Sequence, residues 1–155
     1  LRTGDVRPMV RLLEKVVGEL DKDNEIKSFD TWKQEFYPVP ASTPENDLDA
    51  TRHSLRKWIG LRPENLREHN LTGNAGGFII EESGHTHEFN TSRTCALCQR
   101  HMDGHHDLLC DECPLGQIVM PCNETGSPYK IARRDGEVEP MIKALELVEA
   151  ILEID

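Results

Sequence analysis

The sequence predicts an α+β fold: a small helical scaffold with a short β-hairpin and a cysteine segment of the zinc-knuckle or zinc-ribbon type. Apolar residues recur at three- and four-residue steps near both ends, which is the period of an amphipathic helix. Two short runs around Ser83 have the pattern of strands. All five cysteines lie between residues 95 and 122. Because 155 residues suit one domain, we expect a single domain, 1–155, with a metal-stapled segment at 91–130.

Both ends of the chain are predicted to be helices with one buried stripe each. From Pro8 to Leu20 the apolar residues keep a helical period, and proline suits the first turn. Residues 138–154 repeat this pattern, and Glu137 and Glu139 lie where the helix dipole favours negative charge. We expect these two helices to pack together with a third.

Aromatic residues and prolines mark the segment that follows the first helix. Phe29, Trp32, Phe36 and Tyr37 are spaced at helical steps and are expected to cover the edge of the core. Residues 38–44 contain three prolines, which predicts an extended loop or linker.

A third helix is predicted over residues 47–58, with Asp47 as its cap. A short helix is expected over residues 63–69, because it begins with a proline. His53 and His69 fall on these two helices. Nothing close in sequence completes a metal site around either histidine, so we expect both to be surface or capping residues.

Two strands are predicted at residues 78–82 and 85–89, joined by a Ser-Gly turn. His85 and His87 are two residues apart and therefore share one face of a strand. Such a pair can bind a metal jointly, although it more often forms an ordinary polar strand face.

The cysteines form two C-x-x-C pairs, Cys95 with Cys98 and Cys110 with Cys113. A C-x-x-C turn directs two thiolates at one ion, and two such turns complete the tetrahedral site of structural zinc proteins. No export signal opens the chain, so we expect reduced thiols, and an odd number of cysteines argues against a disulfide framework. The sequence therefore predicts structural Zn²⁺ at these four residues.

Other side chains in the segment leave alternatives open. Cys122 is an alternative ligand, and an iron–sulfur cluster held by four of the five thiolates is an alternative to zinc. His101, His105 and His106 are weaker candidates. Imidazole binds zinc well, but the glycine and aspartates around these histidines are typical of a solvated turn.

The same histidines raise a catalytic alternative, a ββα-metal (HNH-like) nuclease in which His105 or His106 activates water. Such a nuclease must place a hairpin and its catalytic histidine between the cysteine pairs, and only 11 residues separate them. The sequence has no Ser-His-Asp, phosphate-loop or paired-carboxylate signature. We therefore expect a protein that is not an enzyme.

The charge balance bears on partners, since 28 acidic against 18 basic side chains give a net charge of −10. Nucleic-acid affinity comes largely from Lys and Arg, so general nucleic-acid binding is disfavoured. Residues 93–134 are nevertheless balanced, with five basic and five acidic side chains. No apolar run is long enough for a membrane span, so we expect a cytoplasmic protein without a membrane partner.

The cysteines also form part of a longer pattern: C-x-L-C from Cys95, then C-x-x-C-P, then Cys122 and the pair Pro128 and Tyr129. This order resembles a group of small, mostly uncharacterised bacteriophage and prophage proteins, over roughly residues 53–130. The resemblance implies metal binding, a phage origin and a place for the fifth cysteine in the motif. Acidic phage proteins often block a host protein, sometimes by imitating the charge of DNA. The expected partner is thus a host protein or nucleic acid in the host cytoplasm.

Overall fold

The computed structural model describes residues 27–74, 77–89, 91–102, 110 and 112–154. Within these residues the α+β class is confirmed, with helices around a small antiparallel sheet. The helix predicted from Pro8 to Leu20 lies outside the described residues. No helix among the described residues is both long enough and apolar enough to cross a membrane.

The described part of the chain forms helices and three short strands. The helices are α1 (Phe29–Phe36), α2 (Asp47–Gly60), α3 (Pro63–Glu68), α4 (Ala96–Arg100), α5 (Pro114–Ile118), α6 (Pro128–Asp135) and α7 (Glu139–Ile154). The strands β1 (Leu71–Gly73), β2 (Phe78–Glu81) and β3 (Thr86–Glu88) lie between α3 and α4. A 3-10 turn at Ser92–Thr94 leads into α4. The cysteine segment is therefore partly helical.

Helices α2 and α7 confirm two of the predicted helices, and they pack against each other. The apolar period of α7 buries Ile142, Leu145 and Val148 completely. The cap of α2 is Asn46, since its side-chain oxygen accepts the backbone N–H of Asp49 at 2.8 Å. The prediction that Asp47 caps this helix was therefore wrong by one residue.

Trp32 and Phe36 of α1 lie inside the core, whereas Phe29 and Tyr37 are half-buried against it. The prediction that the aromatic residues cover the edge of the core was therefore wrong for Trp32 and Phe36. Trp32 is fully buried. Its indole Nε1 donates to the carbonyl oxygen of Gly60 at 2.7 Å. Phe89, which follows β3, packs edge-on against the Trp32 ring with 5.1 Å between centroids. Helix α1 is thus held between the end of α2 and the sheet.

The predicted hairpin is confirmed as β2 and β3, and a third strand, β1, pairs with the other edge of β2. Leu71 of β1 lies opposite Glu81, and Ile79 of β2 lies opposite His87. Strand β1 has only three residues and ends in glycine, so it shows little alternation in sequence. Ile79 is fully buried and anchors the sheet in the core.

His69 is the C-cap of α3, which agrees with a capping role, but it is only 2% exposed and is not a surface residue. Its Nδ1 is 2.8 Å from the hydroxyl of Thr31, and its Nε2 is 3.0 Å from a carboxylate oxygen of Glu35. His69 therefore ties the end of α3 to α1. Both partners lie more than 30 residues away along the chain, which is why local sequence gave no sign of this burial.

Candidate metal centre

The first cysteine pair is positioned by the start of α4. Cys95 is the N-cap of this helix, and its Sγ accepts the backbone N–H of Cys98 at 3.4 Å. Between them, Ala96 and Leu97 are buried and anchor the turn in the core. The turn lies against α2, where the hydroxyl of Ser54 is 4.0 Å from the Cys95 Sγ.

The second pair is positioned by the start of α5. Cys113 precedes Pro114, which occupies the first turn of this helix. Burial raises the pKa of the Cys113 thiol to about 11, although hydrogen bonds from the backbone N–H groups of Gly116 and Leu115 act in the opposite direction. In both pairs, one sulfur therefore receives backbone N–H donors. Such donors favour the thiolate form that a metal requires.

All five cysteines line one cavity of about 20 Å³, together with His101. None of the five forms a disulfide. The cavity has about the volume that a single water molecule needs. The structure therefore brings Cys122 to the same place as both C-x-x-C pairs. His105 and His106 lie outside the described residues.

The five thiols line this cavity, but their sulfur atoms are not gathered at the spacing of a metal site. In a tetrahedral zinc–thiolate site with Zn–S of about 2.3 Å, neighbouring sulfurs are about 3.8 Å apart. Within the described part of the chain, three ligand atoms all within 4.8 Å of one another occur only at Glu81, His85 and His87. The predicted zinc-ribbon geometry is therefore not confirmed.

Neighbouring thiols shift one another's pKa values. A hydrogen bond between the two side chains lowers the pKa of Cys95 and raises that of Cys98. Burial is the main reason for the raised pKa of Cys122, and neighbouring thiolates raise it further. Several like charges cannot coexist in a buried cluster without a compensating cation. The cluster is therefore suited to exchange thiol protons for a cation.

Lys57 of α2 is a second feature of the site, and sequence reasoning missed it. Its side chain is 1% exposed, and Nζ donates to the carbonyl oxygen of Thr94 at 3.1 Å. Burial lowers the pKa of Lys57, while Cys95, Cys98 and Cys122 act to raise it. Lys57 and four of the five cysteines line a second cavity of about 140 Å³. A buried lysine amine therefore lies close to the thiols.

His101 is held by a carboxylate in the manner of many metal-binding histidines. Its Nε2 is 2.9 Å from Oδ1 of Asp47, which also accepts a hydrogen bond from Arg100 at 2.8 Å. Burial opposes ionisation of Asp47, but these two partners outweigh it and lower the pKa of its carboxyl group. A carboxylate on one ring nitrogen orients a histidine and leaves the other nitrogen for a metal.

Sequence reasoning missed both Lys57 and Asp47 at this site, but the position of Lys57 could have been noticed in the local sequence. Lys57 follows Ala50 and Ser54 at helical steps, and both of those are buried on the inner face of α2. A lysine in line with small residues along one face of a helix can be buried, and a buried lysine needs a partner. Asp47 had no comparable signal, because its contact with His101 spans 54 residues of sequence.

Gly116→Ala is expected to weaken the site. An added Cβ would collide with the carbonyl oxygen of Cys110, a backbone atom that cannot rotate away. We expect a loss of about 1–3 kcal/mol in stability and, at about 1.4 kcal/mol per decade, a roughly tenfold loss of Zn²⁺ affinity. Competition with a chromophoric chelator measures this affinity. Gln117→Ala, at an exposed neighbour in the same helix, should change neither quantity, whereas wild-type affinity in Gly116→Ala would contradict the assignment.

No protein-family model, no curated protein and no solved structure matches the chain. The likeness of its cysteine pattern to phage proteins stays a prediction.

Proposed function

We propose that the chain is a zinc-binding, non-catalytic protein in which one structural Zn²⁺ holds the 91–130 segment together. The convergence of all five thiols on one cavity supports this proposal. Among the described residues of this segment, the only large aliphatic side chains that are fully buried are Leu97 and Leu115. A segment with so small a core needs another source of stability, and metal binding supplies folding free energy directly.

We favour a single ion over an iron–sulfur cluster, because the cavity that all five thiols share has a volume of about 20 Å³, which suits one particle the size of water. A [4Fe–4S] cluster has eight core atoms and would have to occupy the neighbouring cavity of about 140 Å³, which Cys113 does not line. Soft thiolates select Zn²⁺ among the common divalent ions. The preferred ligands are Cys95, Cys98, Cys110 and Cys113, and the alternatives for one position are Cys122 and His101. Binding would draw the sulfurs inwards to the tetrahedral spacing.

Four thiolates fill the coordination sphere of zinc and leave no open position, which is the hallmark of a structural site. Four thiolates and one Zn²⁺ carry a net charge of −2, and burial of such a charge needs compensation. Lys57, buried beside the cysteines, supplies one positive charge. The site is therefore better suited to stability than to catalysis.

The function is then to bind another macromolecule, and the charge balance favours a protein with a basic surface. The net charge of −10 attracts cationic surfaces and speeds association with them. If the chain is phage-encoded, as its cysteine pattern implies, this partner is a host protein.

Nucleic acid is the second candidate partner, and helix α6 favours it. Lys130, Arg133 and Arg134 lie within its eight residues. Tyr129 and Lys130 of this helix line the same cavity as four of the cysteines. A basic helix beside a zinc-held segment can contact phosphates even in an acidic protein.

Salt-dependent binding separates the two partners. Fluorescence anisotropy with a labelled DNA duplex is expected to show no binding at about 50–200 mM salt, a range in which phosphate contacts weaken steeply. A DNA affinity that falls with salt, and that Arg134→Ala weakens while Lys143→Ala on α7 does not, would contradict a protein partner. Recovery of a basic host protein that binds the purified chain directly, and releases at high salt, would support it.

A further inference from the structure

The β2–β3 hairpin brings three metal-binding side chains onto one face. Glu81 ends β2, His87 lies on the returning strand β3, and His85 immediately precedes that strand. Ile79 pairs with His87, and the N–H of Glu81 donates to the carbonyl oxygen of His85 at 2.8 Å. Because side chains alternate along a strand, Glu81, His85 and His87 all project from the same side. One ligand atom from each lies within 4.8 Å of the others.

The histidine rings of this cluster are already positioned. The His87 ring stacks on Phe29 with 3.6 Å between centroids and 7° between planes. Its Nε2 lies 2.7 Å from Oε2 of Glu81. The His85 ring is 4.7 Å from that of His87 at 74°. An ion with ligand distances of about 2.0–2.2 Å would require only small side-chain movements here.

We infer that Glu81, His85 and His87 form a second metal site, separate from the cysteines, for Zn²⁺ or a similar divalent transition metal. Two imidazoles and one carboxylate are a donor set of catalytic zinc sites, and three protein ligands leave a position for water or a ligand oxygen. Mg²⁺ and Ca²⁺ prefer all-oxygen ligands, so this site discriminates against them. Since His85 is exposed, the ion exchanges with solvent, unlike an ion enclosed by the cysteines.

A plain ion pair between Glu81 and His87 would also explain their contact, and metal titration distinguishes the two. Zinc-loaded, dialysed protein is titrated with Co²⁺ and followed by visible absorption. We expect one added equivalent with the weak bands of nitrogen- and oxygen-bound cobalt and without a thiolate charge-transfer band. Mg²⁺ should not compete. No added equivalent, or one with a thiolate band, would overturn the inference.

Substitutions in the hairpin test whether the added Co²⁺ binds at Glu81, His85 and His87. His85→Ala, at an exposed position, and Glu81→Gln should each weaken Co²⁺ binding by at least about tenfold, the lower bound seen even for outer-shell partners. Glu88→Gln removes a carboxylate from the opposite face of β3 and is the matched control. Cobalt binding unchanged in His85→Ala would overturn the inference. The ion bound by Glu81, His85 and His87 should still bind in Cys113→Ser. The proposal of this site and the proposal of a cysteine site can therefore be contradicted independently of each other.

Discussion

Cys113→Ser is expected to abolish stoichiometric zinc binding at the cysteines and to unfold the 91–130 segment. Structural zinc sites bind with about 10–16 kcal/mol at neutral pH, and this is folding free energy. Domains are stable by only about 5–15 kcal/mol, so loss of the ion should lower the melting temperature by about 10 °C or more. Helices α2 and α7, which pack on each other, should remain. Elemental analysis and limited proteolysis with mass spectrometry measure both effects.

Cys122→Ser is the matched control, because Cys122 lines the same cavity but is outside the preferred ligand set. It should retain one zinc and a melting temperature close to that of the wild type. If Cys113→Ser retains full metal while Cys122→Ser loses it, the ligand set is wrong and Cys122 replaces Cys113.

Lys57→Met is expected to weaken both the metal-bound and the metal-free protein. With zinc bound, it removes the buried cation that offsets four thiolates, so Zn²⁺ affinity should fall about 10–100-fold, as for other outer-shell partners. Without zinc, Cys95 still has a lowered pKa, because of its hydrogen bond with Cys98 and in part because of Lys57, so the substitution leaves a buried thiolate without its neighbouring cation. The metal-free protein should therefore lose about 1 kcal/mol or more. Chelator competition and urea unfolding with and without zinc measure the two effects.

Lys143→Met provides the control for Lys57→Met, since Lys143 is exposed on α7. It should leave zinc affinity and metal-free stability unchanged. Equal or tighter zinc binding in Lys57→Met would show that Lys57 does not compensate the charge of the site.

The features predicted correctly depend on local sequence. Helix α7 shows its buried stripe as an apolar period, and the hairpin shows its turn as Ser-Gly between two short apolar or alternating runs. The position of α1 could not be predicted in this way. The burial of Trp32 depends on the carbonyl of Gly60, 28 residues away, and no local pattern encodes such a contact.

The candidate site likewise combines features that local sequence predicts with features that depend on residues distant in the chain. The two C-x-x-C pairs are local motifs, so their candidacy follows from spacing alone. Lys57 and Asp47 reach the cysteine segment only because α4 packs on α2. Two of the three residues in the cluster at Glu81 could be predicted from sequence, because the spacing of His85 and His87 places them on one strand face. The carboxylate of Glu81 joins them only through the register of β2 and β3, which the sequence does not show.

X-ray absorption at the zinc edge, combined with elemental analysis of dialysed wild-type protein, tests the central claim most directly. The account predicts one tightly held zinc per chain with four sulfur neighbours at about 2.3 Å. Iron in place of zinc, a shell dominated by nitrogen and oxygen, or no retained metal would contradict it.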